Sequence, residues 1–156
     1  MSVVKFQTRF LKTGVILQQV DQRFKRAKNL TQALKKGAKQ AQESVRQEFL
    51  GSYWKTPSGG QVSWERRKDN LNHPLLILTR ALFLEWTEGQ PVITPKTFSI
   101  GSSLPYAEVQ RGGTGSDIQQ SPLWKNITPR PHGTRNPELD EKIRETILEF
   151  IVFGTT

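Results

Sequence analysis

The stretch "SLPYAEVQRGG", residues 103–113, gathers side chains that could do chemistry: Tyr106, Glu108, Gln110 and Arg111, running into two glycines. A phenol, a carboxylate and a guanidinium this close could share acid–base work if they converged on one point. Their spacing points elsewhere. Tyr106, Ala107 and Val109 suit the buried side of a single helical turn, and Glu108 and Arg111 are three apart and can pair. Gly112 and Gly113 permit a sharp exit with positive φ. The stretch is therefore expected to be architectural, with Tyr106 a half-buried anchor. The two histidines offer no better site, because His73 precedes a proline and His132 lies in "PRPHGTR", with no ligand spacing between them. No G-x-S-x-G or P-loop string occurs. An enzyme, such as a nuclease built from dispersed Asp and Glu, is the least supported class, and no catalytic residue, metal or cofactor is expected.

Charge is more informative than any motif of this kind. The chain of 156 residues holds 23 Lys or Arg and 14 Asp or Glu, a formal +9. Residues 1–39 carry ten basic side chains against Asp21 alone, so the whole excess sits in the first quarter, and the rest of the chain is balanced. Such asymmetry suggests a polyanionic neighbour for one part of the fold, either nucleic acid or an acidic protein surface. The length suits one domain, 1–156, able to bury its own core. Without cysteine there are no disulfides or thiolate metal sites, and a cytoplasmic folding history is expected. No apolar run approaches the ~18 residues of a membrane span, and "MSVVKFQTRF" lacks the apolar centre of a signal peptide, so a soluble protein without a membrane partner is expected.

The elements that must carry these residues follow from periodicity. Val4, Phe6 and Phe10 alternate imperfectly with polar residues and predict a first strand or a lead-in. Val20, Phe24, Ala27, Leu34, Ala38, Ala41, Val45 and Phe49 recur at three- and four-residue spacing, which predicts a long amphipathic helix from about 18 to 50. "NLT" at 29–31 could start a fresh helix at Thr31, and Gly37 weakens the interior. On one continuous wheel Lys25, Lys28, Lys35, Lys36, Lys39 and Arg46 fall within an arc of about 100° beside the apolar stripe. A simply solvated lysine-rich helix accounts for that face as well as a polyanion-binding one does, although a solvated face would ordinarily mix signs. Residues 51–72 read as an ordered excursion anchored by Tyr53, Trp54 and Trp64. Thr79 is placed to cap a short helix over 80–86, and Val92–Thr94 and Thr97–Ile100 read as two strands turned at Pro95–Lys96. A long polar segment, 114–135, holds Trp124. Asn136 as N-cap, Pro137 at the first position and acidic residues in the first turn then predict a final helix to about 152. The sum is an α+β domain: a long N-terminal helix and a C-terminal helix packed on a small antiparallel sheet, with long irregular loops.

Several pieces in order also resemble the tail-completion, or virion-morphogenesis, family of tailed bacteriophages. They are Pro57, Gly59, Gly60 and Trp64; "LLILTRAL" at 75–82; "SIGSSLPYAEVQRGG" at 99–113; and "TPRP" at 128–131 before a C-terminal helix. The match runs over about residues 15–151, and Trp64, Thr79, Leu82, Tyr106, Ala107 and Gly112 stand at its motif positions. This chain departs from the pattern at Arg80, where the family often has glycine, and in "EVQRGG", which lacks the family's aromatic residue.

The resemblance implies a structural virion protein: a ring, expected to be hexameric, at the neck or head-proximal end of the tail, assembled in the host bacterial cytoplasm. Its partners would be copies of itself and the neck, connector and tail-tube proteins. Two complementary patches per subunit are needed for a closed ring. The basic residues offer one, and Glu138, Glu145 and Glu149 on the last helix another, with Trp54, Trp64 and Trp124 ordering on contact with neighbours. Basic residues facing the channel would touch genomic DNA without reading sequence, though they could equally grip an acidic protein surface. The alternative from a different class is a stand-alone basic nucleic-acid-binding module.

Overall fold

The computed structural model describes residues 2–65, 80–112, 130–134 and 136–155, with backbone alone over 2–13 and at Val109 and Gly112. The architecture is α+β. Helices α1 (Ser2–Lys28) and α2 (Thr31–Gly51) are followed by the ribbon β1 (Tyr53–Lys55) and β2 (Gln61–Ser63). Helix α3 (Ala81–Glu88), the ribbon β3 (Val92–Ile93) and β4 (Phe98–Ser99), the short α4 (Ala107–Gly112) and α5 (Pro137–Phe153) complete the order. Among the described residues the strands form two separate antiparallel pairs, with Trp54 opposite Val62 in one and Ile93 opposite Phe98 in the other.

Two expectations about the N-terminal region are corrected. The stretch around Val4, Phe6 and Phe10 is helix and not strand. Phe6 and Phe10 are four apart, a spacing that a helix satisfies, and no Pro or Asn interrupts the run before Asn29. The single helix predicted over 18–50 is instead two helices that part at Asn29–Leu30. Asn29 N–H closes α1 on the Arg26 carbonyl at 3.0 Å. Leu30 N–H leaves the helical ladder altogether and donates to the Pro95 carbonyl at 2.8 Å. The Asn29 side-chain oxygen then accepts from the Thr31 backbone N–H and hydroxyl, satisfying a donor at the start of α2. The "NLT" signal was thus the correct reading of the two.

Helix α2 is the centre of the packing. Ala33, Leu34, Gly37, Ala38, Ala41, Val45, Glu48 and Phe49 form its buried face, against which α3 and α5 pack. Phe49 has no exposed surface and lies edge-on to Trp64 and Phe83, with ring centroids 5.7 and 5.8 Å away. Val45, Leu82, Trp86 and Ala107 complete this cluster. At Gly37 the helix faces Ile143 of α5 and Phe98 of β4, with room for ordinary van der Waals contact. Helix α5 starts as predicted: the Asn136 side chain accepts from Leu139 N–H at 3.0 Å, with Pro137 in the first turn.

Candidate functional site

The six basic residues do not share one face. Lys25 and Lys28 belong to α1, while Lys35, Lys36, Lys39 and Arg46 belong to α2 beyond the break. Within α2 the three lysines are exposed and lie opposite its buried side, not beside it. Arg46 is engaged within the chain: it pairs with Glu43 and Glu88, each at 3.5 Å, and its guanidinium stands 5.6 Å from the Phe83 ring centroid. Lys25 pairs with Asp21 at 2.7 Å, and that hydrogen bond raises its pKa. Lys28, Lys35, Lys36 and Lys39 have no ion-pair partner among the described residues, so the free positive charge is narrower than the sequence implied.

Helix α1 carries a second feature. Every residue from Gly14 to Lys25 is exposed, including Ile16, Leu17, Val20 and Phe24. The helix is tied to the body at its C-terminal end, where the Arg26 guanidinium donates to the Ile151 and Val152 carbonyls at 3.2 and 3.1 Å. These are terminal carbonyls of α5, left without helical partners and favourable to a cation. Gly154 ends α5 with φ +76, and a Cβ there would meet Arg26 at 2.8 Å.

The described residues among those singled out by the resemblance are architectural. Trp64 is buried and its indole N–H donates to the Pro131 carbonyl at 2.8 Å; Leu82 and Ala107 are in the same cluster, and Tyr106 packs against it half-buried. Gly112 is the last residue of α4, and Thr79 lies outside the described residues. Arg80 adopts φ +58, a left-handed conformation that glycine occupies without strain. The "SSLPY" lead-in is held by Glu85, whose carboxylate accepts from the Ser102 hydroxyl and, at 2.8 Å, from Ser103 N–H. Those bonds, Ser102 first, lower the Glu85 pKa. The stretch 103–112 is therefore a fastened turn and a short helix, as its spacing predicted.

Sequence reasoning missed a buried polar fastening. Glu48 on α2 is 1% exposed, and its Oε2 accepts from Gly133 N–H at 2.8 Å while Oε1 has no partner among the described residues. Burial pushes its pKa up to about 7, against the opposing effect of the backbone bonds. His132 is wholly buried between Phe49 and Trp86, with ring centroids 5.1 and 5.2 Å away. Its Nδ1 donates to the Arg130 carbonyl at 2.8 Å, and burial lowers its pKa to about 4, so the ring is neutral. Gly133 has φ +60 and lies so close to Trp86 that a Cβ would stand 2.5 Å from the ring. These groups clamp residues 130–134 onto α2. A signal for Glu48 was present, since it falls within the apolar arc of α2 between Val45 and Phe49.

Of the proposed inter-subunit residues, Trp54 is half-buried against the core, and Trp64 is inside it. Both are ordered by their own chain, because β1 pairs with β2 and presents Trp54 to the cluster; neither awaits a neighbour. Trp124 and His73 lie outside the described residues. Glu138 accepts from Lys55 and, at 3.0 Å, from Lys142, and those bonds hold its pKa down at about 2. Glu145 and Glu149 are exposed and without an ion-pair partner among the described residues. Among the described residues no three His, Asp or Glu side chains gather as a metal site, and no helix is long and apolar enough to cross a membrane. No family model, curated protein or solved structure matches the chain.

Proposed function

We propose that this chain is a structural protein of a tailed-bacteriophage particle, a subunit of a homo-oligomeric ring at the neck or head-proximal end of the tail, acting by assembly and not by turnover. The observation that carries the reading is the exposed apolar face of α1. A helix segment with every side chain from Gly14 to Lys25 exposed, yet with Ile16, Leu17, Val20 and Phe24 among them, has the composition of a contact surface. The ordered motifs of the resemblance support the same reading, as does the left-handed backbone at Arg80, at a position where the family often carries glycine. In such a ring the neighbours above and below are connector and tail-tube proteins, and residence is in the virion.

A second reading is favoured by one observation. Lys35, Lys36 and Lys39 are exposed, unpaired among the described residues and on one side of α2, which suits a stand-alone module binding duplex phosphates. Deleting the gene and imaging the lysate tests the first reading: complete tails that fail to join filled heads are expected, and normal particles would refute it. Replacing Lys35, Lys36 and Lys39 with Gln tests the second. A steep, salt-dependent loss of duplex binding with normal particle assembly would favour the stand-alone module.

A further inference from the structure

The exposed face of α1 has a defined shape. At 100° per residue Ile16, Val20, Phe24 and Leu17 fall within an arc of about 100°. Their exposures run from 41% at Val20 to 65% at Phe24. Together they present roughly 400 Å² of apolar side chain, in the range of the largest patch on a typical monomer, which is often functional. Arg23 borders this stripe on one side and Lys28 on the other. Arg26, which ties α1 to the subunit's own α5, lies ~130° around the helix from the centre of the stripe. The stripe therefore points away from its own subunit's α5.

Helix α5 has a matching face. Leu148 and Val152, four apart, are 48% and 36% exposed; Glu145 and Glu149, without ion-pair partners among the described residues, lie along one flank of this pair, and Arg144 lies along the other. Over its length α5 carries Glu138, Asp140, Glu141, Glu145 and Glu149 against Lys142 and Arg144. An apolar seam with acids along one flank of it complements an apolar stripe bordered by cations on the other helix.

We propose that the α1 stripe of one subunit docks along the outer face of α5 of a second copy, with the cation on the facing border of the stripe, Arg23 or Lys28 according to the direction in which the helices run, reaching Glu145 and Glu149. The inference rests on the assembly reading and deepens it by naming the interface. The donor and acceptor surfaces differ, so the contact is heterologous: each subunit gives α1 to one neighbour and receives α1 from another, which closes a ring if the rotation permits. The apolar seams supply the driving force, and the charges fix the register and reject wrong pairings.

The absence of cysteine from the chain makes a clean test. Full-length Val20→Cys and Leu148→Cys proteins are prepared separately, mixed and mildly oxidised, with Ser58→Cys, on the exposed β1–β2 turn, as the collision control. The mixed disulfide between Val20→Cys and Leu148→Cys should form in excess of either same-site dimer and of the Ser58→Cys control. Adding Glu145→Lys and Glu149→Lys to the Leu148→Cys protein should abolish it, and adding Arg23→Glu and Lys28→Glu to its partner should restore it. Dominant Val20–Val20 dimers, or mixed dimers no more abundant than the control, would overturn the docking. So would sedimentation of the wild type with phosphatidylglycerol vesicles that Phe24→Glu abolishes, which would assign the stripe to a membrane surface. If the disulfide fails but antibodies still detect the chain at the necks of particles, the docking is wrong and the assembly reading stands. If the disulfide forms and particles lack the chain, the virion reading falls while the self-contact stands.

Discussion

Replacing Glu48 with Gln separates two opposing proton linkages in the core. Glu48 has its pKa raised from 4.5 to about 7, a shift worth about 3 kcal/mol, and that stabilisation is fully present below about pH 4.5 and lost as pH rises through 7. His132 has its pKa lowered from 6.5 to about 4, so its contribution, also about 3 kcal/mol, is present above about pH 6.5 and lost as pH falls through 4. Between about pH 4.5 and 6.5 the two slopes nearly cancel, and the wild type should show a flat stability profile. Glu48→Gln keeps an acceptor for Gly133 N–H and removes the ionisation. Its amide nitrogen would occupy the site where Oε1 is unpartnered, at a cost of ~1 kcal/mol. The variant should therefore be more stable than wild type by about 2 kcal/mol at pH 8, the difference between those two effects. It should be slightly less stable at pH 4.5, and its own stability should rise with pH across the histidine window. Urea melts followed by tryptophan fluorescence at half-unit pH steps measure both curves. Parallel curves for the two proteins from pH 4.5 to 8 would refute the assignment of a buried, ionisable fastening at this position.

Arg80→Gly should stabilise the chain by ~0.5–1 kcal/mol, because it removes a left-handed backbone penalty partly offset by the freedom of glycine when unfolded; calorimetry checks it, with Arg80→Ala expected to give no such gain. Arg26→Ala should remove two charge-assisted bonds to the end of α5, worth about 1–2 kcal/mol locally. Hydrogen exchange should then quicken throughout α1 while the amides of α2 stay protected. Gly37→Ala should raise the melting temperature, since a Cβ there would meet Ile143 Cγ2 at an ordinary 3.4 Å and a helix interior gains up to ~1 kcal/mol from the change. A lowered temperature would mean that α2 and α5 have no room to accept a methyl group.

The sequence made the last helix legible because its signals are local: Asn136, Pro137 and the acidic first turn all act within four residues. The β3–β4 ribbon was legible for the same reason, through the Pro95–Lys96 turn. The division between α1 and α2 was only half-legible. Asn29 and Thr31 announce it, but the carbonyl of Pro95, which takes the Leu30 N–H out of the helix, is sixty-five residues away. The β1–β2 ribbon was hidden in a stretch whose glycines and Pro57 suggested a loop. The candidate surface was legible as charge and not as geometry. A wheel drawn across an unbroken helix joined lysines that the fold separates, and the exposure of Phe24 and Val20, counted as core by periodicity, depends on nothing folding back to cover them.

The Leu30–Pro95 bond also makes the junction of α1 and α2 an elbow set by tertiary structure. At 1.5 Å per residue, α1 is a rod of ~40 Å, so a rotation of only 10° at its root would sweep its far end by ~7 Å. In the proposed ring, leverage on that scale would let small adjustments beside Asn29 set the diameter, while α2 and the aromatic interior stay as they are.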